Sequence, residues 1–173
     1  MSEYKQQFIE LFDKNHSGIY RFLRLRVATD DIAQDITSEA FARAWRFIVQ
    51  NPQKFPQNPR AYLYKTARNC LADYYRRDRR NELYFDDSVL KIIDKNGENA
   101  IMGADQGVFD SVQMGRIQKA LKELEPNESE LITLRFIEDL SYPEIAEIIG
   151  KNEGAARTAL SRAVERLRKM LTE

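Results

Sequence analysis

Apolar residues recur at three- and four-residue intervals through most of this chain, and no stretch alternates in the strict two-residue rhythm of a strand. Tyr4, Phe8, Leu11 and Phe12 give one face to a first helix over residues 3–14. Ile19, Phe22 and Leu23 turn inward on a second helix that starts near Ser17. Thr29 is placed to cap a third helix running to about Val49, with Asp30 and Asp31 at the positive end of its dipole. Its buried side carries Ile32, Ile36, Ala40, Ala44 and Phe47, flanked by Phe41 and Trp45. Pro52 and Pro56 make residues 51–58 a loop, and Asn58 followed by Pro59 opens a fourth helix with the stripe Leu63, Ala67, Leu71 and Tyr74. Periodicity lapses after residue 81, apart from a short helical piece over 88–93, and returns with Val112, Ile117, Leu121 and Leu124. Pro126 closes that helix, and another begins near Asn127 with Leu131, Leu134 and Ile137 inward.

Residues 140–171 read as two helices joined by a tight turn. Ser141 and Glu144 have the spacing of a capping box, in which each side chain takes a backbone N–H from the other's residue. Leu140 and Ile145 are a hydrophobic staple, and Pro143 is harmless in a first turn whose N–H groups have no helical partner. Gly150 sits where a left-handed residue ends a helix, and Asn152 caps the next. On that last helix Ala156, Leu160, Ala163, Val164, Leu167 and Leu171 share one side, while Arg157, Thr158, Ser161, Arg162 and Glu165 share the opposite one. A short helix, a turn and a helix presenting Arg, Thr and Ser is the form that enters a DNA major groove. The same pattern also describes a helical hairpin with a solvated basic face.

The pattern therefore predicts an all-α chain of two small helical domains joined by a flexible acidic linker, the C-terminal one a helix-turn-helix. The boundaries fall at residues 1–80, 81–109 and 110–173.

Composition narrows this further. The 173 residues are enough for two small cores. One cysteine, Cys70, excludes an internal disulfide framework. No apolar run reaches bilayer length and the N-terminus lacks a signal-peptide core, so a soluble cytoplasmic protein without direct membrane insertion is expected. Lys plus Arg and Asp plus Glu are equal, 27 each, yet the charges are segregated. Residues 60–80 are rich in arginine, residues 81–110 in carboxylates, and the last helix is basic again.

Three surfaces follow as candidates. Asp31, Gln34, Asp35, Ser38, Glu39 and Ala42 form the outward face of the third helix. Like charges at i and i+4 repel, so either a solvated face or a docking surface for a basic partner accounts for them. Lys65, Asn69, Ala72, Asp73, Arg76 and Arg80 line the fourth helix, interleaved with Tyr62, Tyr64, Tyr74 and Tyr75. Cations for phosphates beside aromatic rings for bases suit an unpaired strand; tyrosines at helical spacing also suit a core. The last helix is the third surface. A lone histidine, His16, without a Cys or His partner reads as structural, so no metal and no cofactor are expected. No glycine-rich phosphate loop or nucleophile–base pattern points to an enzyme or a small-molecule substrate. A stand-alone helix-turn-helix regulator with an N-terminal sensing or dimerising domain stays open on these grounds.

The stretches IAQDITSEAFARAWRFI and PRAYLYKTARNCLADYYRR resemble the second region of bacterial RNA polymerase sigma factors. LEPNESELITLRFIEDLSYPEIAEIIGKNEGAARTALSRAVERLRKML resembles their fourth region, and the chain as a whole is similar to the short extracytoplasmic-function (ECF) type. The resemblance implies a fold, partners and sites. Core RNA polymerase would dock on Asp31, Asp35, Ser38, Glu39 and Ala42, where Ser38 replaces the family's usual Gln. The loop 51–58 with Phe55, together with Lys65, Asn69, Arg76 and Arg77, would hold the melted minus-10 element. Arg157, Thr158, Ser161 and Arg162 would read duplex minus-35 DNA, with Ala155, Ala156 and Ala159 departing from the commoner residues of that helix. The acidic linker would lie in the RNA-exit path, and an anti-sigma factor would be a further partner. The implied function is promoter recognition, DNA melting and initiation of transcription.

Overall fold

The computed structural model describes residues 2–78 and 119–173, all of whose regular structure is helical. The expected acidic linker and the helical piece at 88–93 lie outside the described residues, as does Arg80.

α1 spans Glu3–Arg24 without interruption. The break expected near His16 does not occur. Gly18 lowers helix propensity by about 1 kcal/mol, but no proline or cap stops the helix. Ile19, Phe22 and Leu23 beyond it are fully buried and hold it in register. α2 spans Asp30–Gln50, with the Thr29 side chain accepting from the Ile32 N–H at 3.3 Å. The buried face is rotated slightly from expectation: Ala33, Phe41 and Ile48 are inside, whereas Ile32 and Phe47 are half-exposed. α3 spans Pro59–Asp78, and Asn58 Oδ1 accepts from the Ala61 N–H at 3.2 Å. These three helices pack on one another through Ala40, Ala44, Ala61 and Ala67, all fully buried, whose small side chains let the helices approach closely. A row of rings closes the α1–α2 seam, Phe8 against Trp45 at 4.9 Å and Phe12 against Phe41 at 4.7 Å. His16 completes that row, stacked on Phe41.

The second module starts, among the described residues, with a helical end at 119–123. α4 spans Pro126–Ile132, so Pro126 opens this helix at its first turn rather than closing the preceding one. It runs on into a π-helical turn, Thr133–Ile137. Asp139 then takes a left-handed φ of 53°, a conformation Asp tolerates better than most residues, and the chain reverses. α5 spans Tyr142–Ile149, and α6 spans Glu153–Thr172.

α5 packs on α6 and also on α3, so the modules touch, and their buried side chains form one continuous apolar cluster. No helix among the described residues is long and apolar enough to cross a membrane.

Candidate functional site

The helix-turn-helix is built by the local chemistry its sequence carries. The Glu144 N–H donates to Ser141 Oγ at 3.3 Å, and the Ser141 N–H donates to Glu144 Oε2 at 2.8 Å. Leu140 and Ile145 are both fully buried beneath that box. Gly150 adopts φ 70°, where a Cβ would be strained, and the Ala155 N–H donates to Asn152 Oδ1 at 2.7 Å. Ala156, Leu160 and Ala163 face inward, and Arg157, Thr158, Ser161 and Arg162 are all exposed. Arg157 is held before any ligand arrives. Its Nη2 donates to Glu153 at 2.7 Å and its guanidinium lies 4.1 Å from the centre of the Tyr142 ring. Arg135 covers the same ring at 4.7 Å, so Tyr142 is stacked against two cations. Arg162 makes no ion pair among the described residues, and its charge is free for a phosphate or a base edge.

On α2, Asp31, Asp35, Ser38 and Ala42 form a continuous exposed stripe, with Glu39 half-exposed beside them. The structure separates their electrostatic roles. Glu39 already accepts from Arg43 Nε at 2.7 Å and from Arg46 at 3.4 Å. The hydrogen bond from Arg43 is the chief reason its carboxyl is held below the usual carboxylate range. Asp31 and Asp35 form no ion pair among the described residues, so they are the carboxylates open to a basic partner.

On α3, Lys65, Asn69 and Arg76 are exposed along one side, and Arg77 is exposed about 100° around the helix from Arg76. Asp73 organises this row. It accepts from Arg43 of α2 at 2.7 Å and from Arg76 at 2.9 Å, and the Arg43 hydrogen bond foremost depresses its pKa. Two of the interleaved tyrosines are committed elsewhere. Tyr64 is buried, with its hydroxyl donating to Glu138 at 2.7 Å, and the Tyr75 hydroxyl donates to the Arg26 carbonyl. The Tyr64 ring is not a stacking platform, because position 64 is buried and faces the second module rather than solvent. Two further arginines of α3 also face the second module: Arg60 donates to the Glu138 carbonyl and Arg68 to Glu130 at 2.7 Å.

The loop 51–58 contributes Lys54, Pro56, Gln57 and Asn58 to an open cleft lined also by Phe47, Tyr62 and Glu147 of α5. Phe55 is half-buried and does not line it. Phe47 and Tyr62 stand 5.4 Å apart as the aromatic wall. Tyr62 has the aromatic signal expected on α3, but the sequence gives no means of pairing it with Phe47.

Known proteins resemble this chain over both of its halves. The family description Sigma-70 region 2 matches residues 11–81, and Sigma-70, region 4 matches residues 114–167. The chain is 32% identical over 169 residues to the ECF RNA polymerase sigma factor BldN of Streptomyces coelicolor, covering 96% of this chain and 61% of that protein. It is 30% identical over 171 residues to the RNA polymerase sigma factor SigV of Bacillus subtilis, covering 98% and 93%. The chain thus spans under two thirds of the length of BldN and nearly all of SigV. Two solved structures share the fold. One is CnrH with the cytosolic domain of CnrY, at 20% identity and TM-score 0.66, covering 97% of this chain and 89% of that one. The other is the sigma factor RpoE with the anti-sigma factor NepR from Bartonella quintana, at 22% and 0.58, covering 99% and 98%. With both regions matched in order, and with a relative at this identity aligned end to end, the chain belongs to the RNA polymerase sigma factors, of the ECF type.

Proposed function

We propose that the chain is the promoter-recognition subunit of an RNA polymerase, working through three separate surfaces in the cytoplasm, where polymerase and DNA are. It binds; it does not itself catalyse. The observation that carries this reading is the presence, on separate helices, of an acidic docking stripe and two basic faces of different chemistry.

The stripe Asp31, Asp35, Ser38 and Ala42 on α2 takes a basic element of core polymerase, with Asp31 and Asp35 supplying the unpaired charge and Glu39 the edge. The row Lys65, Asn69, Arg76 and Arg77 holds the backbone of the melted minus-10 strand, and the Phe47–Tyr62 wall stacks an unpaired base. Tyr62, rather than Phe55, is the ring we place against it. Arg157, Thr158, Ser161 and Arg162 enter the major groove of the minus-35 duplex. Residues 1–80 and 110–173 form the two functional modules, with 81–109 as the tether. An anti-sigma factor is the regulatory partner, by likeness to the relatives solved with one.

Arg162→Ala and Asp35→Lys test the division of labour. The first lowers affinity for minus-35 duplex and leaves core binding intact; the second does the reverse. Loss of both properties in either variant overturns the assignment.

A further inference from the structure

Glu153 is the first residue of α6, the end at which a recognition helix meets the edges of the bases. It is an exposed carboxylate beside a face of cations and hydroxyls, and its charge has the wrong sign for a phosphate. A negative group brought against DNA is repelled by the backbone. It gains from that surface only by accepting a hydrogen bond from a base.

The surrounding side chains hold this carboxylate in place. Arg157 Nε and Nη2 both donate to Glu153 Oε1, at 3.2 and 2.7 Å. The Arg157 guanidinium is stacked 4.1 Å from the centre of the Tyr142 ring. Arg135 lies 4.7 Å from the same ring, and its Nη1 donates to the Leu140 carbonyl at 2.9 Å. One run of contacts thus joins the first turn of α5 to the first turn of α6. It leaves two groups without a partner among the described residues, the acceptor Glu153 Oε2 and the donor Arg157 Nη1.

Gly154 keeps the approach to them open. Glycine is a poorer choice than alanine inside a helix. A Cβ at this position would meet only Asn152 Oδ1, at an ordinary contact distance of 3.5 Å. Nothing among the described residues therefore requires the missing side chain, whereas a groove wall lying close against the start of α6 gives it a use.

The chemistry selects one base pair. The amino groups of cytosine and adenine are the hydrogen-bond donors of the major groove. Adenine sets its N7 acceptor beside the amino group, where a carboxylate is repelled. Cytosine sets no acceptor of its own there, and its partner guanine offers O6 and N7 to an arginine. Glu153 Oε2 and Arg157 Nη1, an acceptor and a donor on neighbouring side chains, match that pair.

We propose that Glu153 is a specificity-determining residue of α6, accepting a hydrogen bond from the N4 amino group of a cytosine in the minus-35 duplex. Tyr142 is the positioning residue that sets the arginine holding it. This inference rests on the reading of α6 as the minus-35 helix.

The test uses core polymerase carrying the full chain. Its probes are duplexes from one promoter that this enzyme transcribes, with each minus-35 base pair replaced in turn by the other three. The wild type should bind best with C·G at one position, by about tenfold. Glu153→Ala should erase that preference and leave those at the other positions unchanged. Glu153→Asp keeps a charge at the helix N-terminus but is shorter, so it should keep the melting temperature and lose the preference. Glu153→Gln can pair with both N6 and N7 of adenine, and should move the preference at that position to A·T. Tyr142→Leu should weaken the C·G preference, and Tyr142→Phe, which keeps the ring, should retain it. A wild type without a C·G preference, or a preference that survives in the Ala and Asp variants, overturns the inference. So does an equal loss of binding to every duplex in Glu153→Ala, the mark of a helix-stabilising role alone. If no minus-35 replacement changes wild-type binding, the reading of α6 as a promoter contact falls as well.

Discussion

Arg43 on α2 donates to Asp73 on α3 at 2.7 Å, and this single ion pair ties the helix of the docking stripe to the helix of the minus-10 row. The same guanidinium holds Glu39 at 2.7 Å, and the same carboxylate holds Arg76 at 2.9 Å. Four charged groups on two surfaces therefore share one network. Both members of the central pair are about a third exposed, so solvent screens it and its worth to stability is below about 1 kcal/mol.

Asp73→Asn should accordingly lower the melting temperature by no more than about 2–4 °C. It should cost more in function, because Arg76 loses the carboxylate that orients it. The check is binding of the assembled polymerase to a strand with the minus-10 sequence exposed, which should weaken while thermal unfolding barely moves.

Asp35→Lys should weaken binding to core polymerase by about tenfold or more, the equivalent of roughly 1.4 kcal/mol, with unfolding unchanged. Glu39→Lys places a cation beside Arg43 and Arg46 and should destabilise the chain as well. Titration of labelled core with each variant, alongside thermal melts, separates the two outcomes.

How much of this was written locally is visible in the caps. Thr29, Asn58, Ser141 with Glu144, and Asn152 all accept the N–H groups their spacing predicts, because capping depends on residues three apart. The exposed faces of α2, α3 and α6 were legible for the same reason: helical periodicity orders them within a few residues. Arg21, Tyr64 and Arg68 were not. Their partners lie 117, 74 and 62 residues away, and no local pattern distinguishes a tyrosine that stacks on a base from one that donates to Glu138. The continuity of α1 through Gly18 was hidden likewise, since the reason for that glycine sits in the other module.

Arg162→Ala should cost about 1–3 kcal/mol in binding of minus-35 duplex if the side chain reads a base edge, and should lower the salt slope by about 1 if it contacts phosphate. Tyr142→Leu should have a smaller effect of the same sign. It touches no DNA in this account, but it removes the ring that holds Arg157 in place. Salt-dependent binding of polymerase carrying each variant measures both.

Tyr64 gives the interface an alkaline limit. Burial first, and the negative charge of Glu138 second, raise its phenol above the ordinary tyrosine range. The folded pKa exceeds the unfolded one, so this group's contribution is fully present below about pH 10 and is lost as pH rises through the folded value. Denaturant unfolding from about pH 9 to about pH 11 should show a larger loss of stability in the wild type than in Tyr64→Phe.

Arg26 is buried in the loop after α1, with Nε and Nη2 lacking hydrogen-bond partners and the guanidinium 4.9 Å from the Phe22 ring. Burial is the main cause that pushes its pKa down. Replacing such a group by an apolar one of similar length removes a desolvation cost, so Arg26→Met should leave stability unchanged or raise it by about 1–4 kcal/mol. A denaturant melt that shows clear destabilisation would mean the charge is needed where it stands.

The central claim is that this chain recognises promoters as a subunit of polymerase and not alone, and run-off transcription tests it most directly. Core polymerase, genomic DNA and the purified chain should yield discrete transcripts that vanish when the chain is omitted. Their start sites should share two upstream elements at the minus-10 and minus-35 spacing, and Asp35→Lys should lower their yield at limiting concentrations of the chain. Tight sequence-specific binding by the chain alone, with no transcript dependent on it, would contradict the account and return it to a stand-alone helix-turn-helix regulator.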